Sequence, residues 1–168
     1  MTKPLEAGDA APDFKLPGDS GREISLSALR GAPAVVYFYP KDDTSGCTRE
    51  AIEFGDSLGD FEALGASIIG ISADSPQSHD KFRAKHNLSV RLASDEDRST
   101  IEAYGVWVEK NMYGRKYMGI GRATFLIDAD GAIARVWRKV RVPGHVEAVL
   151  DAVRELVGAG DGTRSTKA

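Results

Sequence analysis

The sequence predicts an α/β protein, a central mixed sheet flanked by helices with an N-terminal hairpin extension, and three observations carry this. First, Ala34-Val35-Val36-Tyr37-Phe38-Tyr39 and Ala66-Ser67-Ile68-Ile69-Gly70-Ile71-Ser72 are short runs rich in β-branched and aromatic residues, the composition of strands covered on both faces. Second, the segments between such runs repeat apolar residues at spacings of three and four, the period of a helix that buries one face. Third, two later apolar runs flank Asp128-Ala129-Asp130-Gly131 as antiparallel strands flank a turn, and an amphipathic segment follows them.

The elements follow in order. Phe14 to Leu16 and Glu23 to Leu26 read as a hairpin around Gly18-Asp19-Ser20-Gly21, followed by a helical turn over Ser27 to Arg30 and the break Gly31-Ala32-Pro33. The strand that starts at Ala34 ends at Pro40, and Ala51, Phe54, Leu58, Phe61 and Leu64 mark one face of a helix that begins near Thr44 to Cys47. After the strand of residues 66–72, Asp74 or Ser75 caps a helix with Pro76 in its first turn, ending near Asn87. Val90 to Ala93 is a weaker strand, and Asp97 or Ser99 caps a short helix that ends before Gly105. Ala123 to Asp128 and Ala132 to Val140 form the hairpin about residues 128–131. Val146, Val149, Leu150, Val153 and Leu156 give the closing helix. Apolar periodicity stops after Gly158, so residues 1–157 are expected to form one domain and 158–168 a flexible C-terminal tail. No repeat or linker divides the chain.

A chain of 168 residues buries enough surface to fold without staples. Its single cysteine, Cys47, excludes an intramolecular disulfide and suits a reducing compartment. The N-terminal residues lack the apolar core of a signal peptide and no stretch has the length of a membrane span, so a cytoplasmic protein is expected. With 22 basic against 25 acidic residues and no basic block, neither nucleic acid nor an anionic membrane is an expected partner.

Cys47 lies in Pro40-Lys41-Asp42-Asp43-Thr44-Ser45-Gly46-Cys47-Thr48, directly after a buried strand and in the first turn of the helix that follows. By itself a lone cysteine is more often a small buried hydrophobe than a nucleophile. This setting favours the nucleophile: unpaired backbone N–H groups and the positive end of the helix dipole favour a thiolate. Thr44, three residues earlier, is placed to cap the turn or to offer its hydroxyl to the sulfur or a bound oxygen. Gly46 lets another group approach the backbone closely.

These residues resemble the active-site pattern of peroxiredoxins, Pro40-x-x-x-Thr44-x-x-Cys47. The longer string Tyr37-Phe38-Tyr39-Pro40-Lys41-Asp42-Asp43-Thr44-x-Gly46-Cys47-Thr48-x-Glu50-Ala51 resembles the Q-type, or bacterioferritin comigratory protein, subfamily. The likeness continues in Gly121-Arg122-Ala123-Thr124-Phe125-Leu126-Ile127-Asp128 and in Trp137-Arg138-Lys139-Val140-Arg141-Val142-Pro143-Gly144-His145, so that it spans residues 5 to 157. It implies a thioredoxin-like fold and a peroxidase that reduces hydrogen peroxide and organic hydroperoxides through a Cys47 sulfenic acid, with no cofactor and no metal.

The same resemblance assigns roles. Arg122, which its strand-end position alone would make a surface cation, is implied to contact the thiolate and the peroxide. Pro40 shields the sulfenate from excess water and oxidant. Glu50, one turn after Cys47, reads equally as Arg122's partner or as a solvated carboxylate favoured by the helix dipole. Tyr37 and Tyr39 line the pocket or, as strand aromatics, belong to the core. A thiol of pKa about 8.5 is roughly 3% ionised at pH 7 and one of pKa about 6 roughly 90%, a gain of only ~30-fold. Ionisation therefore supplies about 2 kcal/mol, and the rest of the catalysis must come from aligning the peroxide and stabilising the departing oxygen, tasks for Thr44, the Cys47 N–H and Arg122.

Two departures bear on mechanism. Ser45 stands where the family usually has proline, and the two usual resolving-cysteine positions hold Ile52 on one side and Arg83 or Ala84 on the other. The resemblance thus implies a one-cysteine cycle in which an external thiol, whether thioredoxin, glutaredoxin or a low-molecular-weight thiol, restores Cys47. It leans to a monomer, with a dimer joined through Cys47 as the alternative. A redox sensor or disulfide oxidoreductase on the same fold is the competing function; against the oxidoreductase, no CxxC exists and Arg122-Ala123-Thr124 occupies the place of the thioredoxin cis-proline. His79, Phe82 and His86 share a helix face that reads as packing rather than ligation, His145 has no supporting motif, and Asp128-x-Asp130-Gly131 lacks the later ligands of a calcium loop.

Overall fold

The computed structural model describes residues 4–18 and 21–165, with side chains as far as Gly158. The N-terminal segment forms β1 (Lys15–Pro17) and β2 (Glu23–Ser25), an antiparallel pair followed by a single 3-10 turn at Ser27–Leu29. The most apolar run becomes β3 (Ala34–Phe38), buried at every position. After a loop come α1 (Ser45–Asp56) and α2 (Leu58–Ala63), then β4 (Ser67–Ser72), α3 (Pro76–His86), β5 (Arg91–Ser94) and α4 (Ser99–Ala103). The chain continues through β6 (Trp107–Met112), β7 (Arg115–Ile120), β8 (Ala123–Ile127), β9 (Ile133–Arg138) and α5 (His145–Ser165).

The main sheet has the order β5-β4-β3-β8-β9. β3 pairs parallel with β4 and antiparallel with β8, so a strand central in the sheet must be apolar on both faces, as its sequence is. Alternation then divides the core. Val36, Phe38, Ile69, Ile71 and Phe125 face the N-terminal hairpin and α4, packing with Phe14, Ile101 and Tyr104. Val35, Tyr37, Ile68 and Leu126 face the other way, against Phe54 and Phe61 of α1 and α2 and Val149 and Val153 of α5; Cys47 belongs to this second cluster.

Three details differ from the sequence reading. The helix expected to run continuously past residue 58 is offset at Ser57, whose N–H is shared between the Glu53 and Phe54 carbonyls at 3.3 and 3.2 Å. The offset lets Phe54 and Phe61 both reach full burial. The β6–β7 hairpin was not anticipated. Most of its residues are exposed and its turn, Tyr113-Gly114, has both residues left-handed (φ 54 and 78°), so neither apolar alternation nor a customary Asn-Gly turn announces it. Finally, the backbone of α5 stays helical to Ser165, past the Gly158 at which apolar periodicity stops.

α3 starts as predicted. Pro76 is at its first position, the Ser75 hydroxyl accepts from the Ser78 N–H at 3.1 Å, and Asn87 closes the helix in the left-handed conformation.

Candidate active site

β3 delivers the chain to its C-terminal end at the centre of the sheet, Pro40 follows it, and the loop must turn back before α1 can pack on Tyr37. That reversal is made at Asp43, left-handed at φ 59°. Thr44 then takes the extended N-cap geometry, and its carbonyl accepts the first helical bond, from Thr48 N–H at 2.8 Å. Ser45, Gly46 and Cys47 are the first three helical residues, the turn in which backbone N–H groups have no helical acceptor. Thr44 occupies the cap position, but its hydroxyl donates to the Lys41 carbonyl at 2.9 Å and makes no cap bond, so the side-chain half of that expectation is corrected. The hydroxyl is held by the loop it belongs to, which fixes the approach to the helix start.

Arg122 immediately precedes β8, the antiparallel neighbour of β3, and this register brings it over the first turn of α1. Its Nη2 donates to Cys47 Sγ at 3.3 Å and its Nη1 to Glu50 Oε1 at 2.6 Å. Gly46 makes that approach feasible: a Cβ there would stand 3.1 Å from Arg122 Nη2. Of the two readings of Glu50, the solvated carboxylate is ruled out by its complete burial. Burial pushes its carboxyl up to about 7 against the pull of Arg122. Its second oxygen, Oε2, and the Tyr37 hydroxyl are buried without a protein hydrogen-bond partner. Cys47 as a residue is 1% exposed.

His145, at the start of α5, lies behind this constellation. Its Nε2 faces Thr124 Oγ1 at 2.8 Å, and its ring meets Phe54 and Trp137 edge-on. Burial, helped by the charge of Arg122, pushes its pKa down to about 4, so the ring stays neutral in the folded protein. A group whose folded pKa is depressed stabilises above its unfolded value and loses that contribution as the pH falls through its folded one. Denaturation midpoints are therefore expected to drop between pH 6.5 and 4, by about 2–3 kcal/mol in unfolding free energy. His145→Gln should flatten that interval in urea titrations; an unchanged slope would remove His145 as the cause.

Other sequence candidates land elsewhere. Tyr37 and Tyr39 are wholly buried in the core, Tyr37 stacked on Phe54 at 4.7 Å. Pro40 is half-buried at the head of the loop, and Ser45 is exposed at the first helical position. Ile52 lies on the outer side of α1, 38% exposed, while Arg83 donates to the Val90 carbonyl from α3. Among the described residues no three histidine, cysteine or acidic side chains are grouped as a metal site. Sequence reasoning missed Lys110 on β6, half-buried and lowered from the usual lysine range by burial and by Arg122, with Cys47 acting in the opposite sense. Nothing in its exposed hairpin sequence marks it.

Residues 7–136 match the AhpC/TSA family. The chain belongs to that family. Among its relatives are the putative peroxiredoxin bcp of Coxiella burnetii, 49% identical over 146 residues (87% of this chain and 97% of that protein), and the peroxiredoxin Bcp of Bacillus subtilis, 47% identical over 152 residues (90% and 97%). The structure also superposes on a Xanthomonas campestris bacterioferritin comigratory protein solved as a trapped intermediate/ligand complex bearing on alkyl peroxide reduction. That match has a TM-score of 0.84 and 43% identity over 91% of this chain and 98% of that one. The fold of this peroxiredoxin is thus the thioredoxin-like one, and its Q-type resemblance holds over nearly the whole chain. In this AhpC/TSA member Cys47 is the single cysteine, so no resolving partner exists within it.

Proposed function

We propose that the protein is a thiol-dependent peroxidase working by a one-cysteine cycle, a reading carried by the 3.3 Å contact of Arg122 Nη2 with Cys47 Sγ at a helix start. The Cys47 thiolate attacks one oxygen of a hydroperoxide, the O–O bond breaks, and hydroxide or alkoxide leaves and takes a proton, giving Cys47 sulfenic acid and water or alcohol. Arg122 donates to the sulfur and offers its remaining donors to the peroxide oxygens, with Glu50 fixing its orientation. Thr44, Gly46 and Pro40 shape the approach. An external thiol then displaces water from the sulfenic acid to form a mixed disulfide, and a second thiol releases Cys47. The thiol is thioredoxin, glutaredoxin or a low-molecular-weight compound, the protein works as a monomer in the cytoplasm, and residues 1–157 form the working domain. Among the described residues, no helix is long and apolar enough to cross a membrane.

A dithiol disulfide oxidoreductase would need a second sulfur that this chain lacks. One equivalent of hydrogen peroxide followed by a sulfenate trap and mass spectrometry should label Cys47 stoichiometrically, with Cys47→Ser inert. Peroxide left unconsumed, or rapid reduction of insulin disulfides instead, would sink the peroxidase reading.

A further inference from the structure

A cysteine that is buried, 1% exposed as a residue, admits a peroxide, which is little larger than water, far more readily than a second thiol that must approach in line with the S–O bond. Reduction therefore depends on how the loop between β3 and α1 is held. It is held by α3. At one end Asp43 meets Lys85 Nζ at 2.7 Å and His86 Nε2 at 2.8 Å, pairs in the open that contribute little. At the other end the contact is buried. His79 is wholly inaccessible; its Nδ1 lies 2.7 Å from Asp42 Oδ2 and its Nε2 3.0 Å from the Ala93 carbonyl. Both neighbours are acceptors, so the ring donates at both nitrogens as an imidazolium. Asp42 also accepts from the Tyr39 hydroxyl at 2.6 Å and the Ser78 hydroxyl at 2.8 Å, and its own N–H donates to Asp74 Oδ2 at 2.8 Å.

We propose that His79 is a positioning residue: through Asp42 it latches the residue 40–44 loop to α3 and so sets how often Cys47 is exposed to its reducing thiol. The role of Cys47 rests on the function proposed above; the latch itself does not. Opening a closed loop can raise a small exposed population many-fold but can lower a nearly full closed one only slightly. Loss of the latch must therefore act mainly on reduction and little on oxidation.

The groups that face His79 are Asp42 from the loop, Tyr39 just after β3, Asp74 from the turn before α3 and the Ala93 carbonyl of β5. Burial opposes the charge, but Asp42, Ala93 and Asp74 together outweigh it and hold the ring protonated above the ordinary histidine range. With its folded pKa raised, the latch is fully present below about pH 6.5 and is lost as the pH climbs through the raised value.

The test is hydrogen exchange with mass spectrometry on the full chain, comparing wild type with His79→Gln, whose amide cannot span both acceptors. Peptides covering residues 40–50 should exchange about tenfold faster or more in the variant, with β3 and β8 peptides unchanged. Dimedone trapping and 2-mercaptoethanol reduction of the preformed sulfenate should accelerate by a similar factor while peroxide oxidation falls less than threefold, roughly as the population argument requires. In wild type, loop protection relative to the sheet should decline at alkaline pH, and in His79→Gln it should not. That wild-type titration and the milder Ser78→Ala keep the question decidable should His79→Gln fail to fold. Loop protection that tracks the sheet at every pH, or equal losses in oxidation and reduction, would overturn the latch. Wild type that forms no sulfenate yet shows the pH-dependent loop would overturn the peroxidase reading and leave the latch standing.

Discussion

Arg122→Ala is expected to lower the second-order rate of Cys47 oxidation by hydroperoxide about 10²–10³-fold, the loss typical of removing a preorganised donor from a site where charge develops. The guanidinium has two attachments that cannot be replaced together: Nη1 is fixed by Glu50 and Nη2 faces the sulfur. Lysine has a single ammonium on a flexible stem, so Arg122→Lys should recover only part of the rate. Removing the cation also leaves a wholly buried Glu50 carboxylate without the guanidinium that Oε1 accepts from, and breaking such a pair costs about 3–5 kcal/mol. The pH dependence of that cost has a definite sign. Burial has already raised the folded carboxyl to about 7, above its unfolded value, so the fold is favoured at low pH and loses that contribution as the pH rises to neutrality. The stability deficit of Arg122→Ala should accordingly be largest above pH 7 and shrink towards pH 4.5. Glu50→Gln combined with Arg122→Ala should recover stability without recovering rate. Stopped-flow oxidation with urea denaturation at several pH values separates the two effects. A double variant that regained the rate would show that Arg122 acts only by neutralising Glu50.

How much of this was legible depends on the range of the interaction. The placement of Cys47 in the first turn of α1 follows from a few adjacent residues, Pro40 ending a strand and the apolar spacing from Ala51 to Phe54 defining a helix face, and local patterns of this kind survive folding. That Gly46 admits a close neighbour was also legible, whereas which neighbour was not. Arg122 is brought there by the antiparallel pairing of β3 with β8, a contact across half the chain that no periodicity encodes; only the family likeness pointed to it. Asp42 and His79 show the opposite failure. Asp42 stood only as one letter of the motif string and His79 read as a packing ring, because burial of a charge pair is a property of the tertiary environment. The β6–β7 hairpin escaped for a third reason: its residues are mostly solvent-exposed, and without a buried face a strand has no apolar alternation to display.

Gly70→Val should prevent accumulation of folded protein, and Gly70→Ala should cost about 2–4 kcal/mol, more than most single substitutions. Gly70 is the register partner of Tyr37 across the β3–β4 pair, and the tyrosine ring lies over its Cα. A Cβ built there would stand 2.6 Å from Tyr37 Cζ and 2.7 Å from its hydroxyl oxygen. The ring has nowhere to retreat. Phe54 stacks on it at 4.7 Å and Tyr39 lies at 5.7 Å, all three fully enclosed. Any displacement of Tyr37 therefore moves Phe54, which sits on α1 two turns beyond Cys47, so the strain reaches the helix that sets the sulfur against Arg122. A misplacement of about 1 Å at reacting atoms costs on the order of 10²-fold in rate, and Gly70→Ala should show a rate loss on top of its lower urea midpoint. Tyr37→Leu creates a void in wild type but relieves the clash in Gly70→Ala, which predicts strongly non-additive stabilities in the double-mutant cycle, with a coupling of about 1–3 kcal/mol. Additive values, or a Gly70→Ala as stable as wild type, would mean that the ring is free to shift and that α1 is not braced through Tyr37.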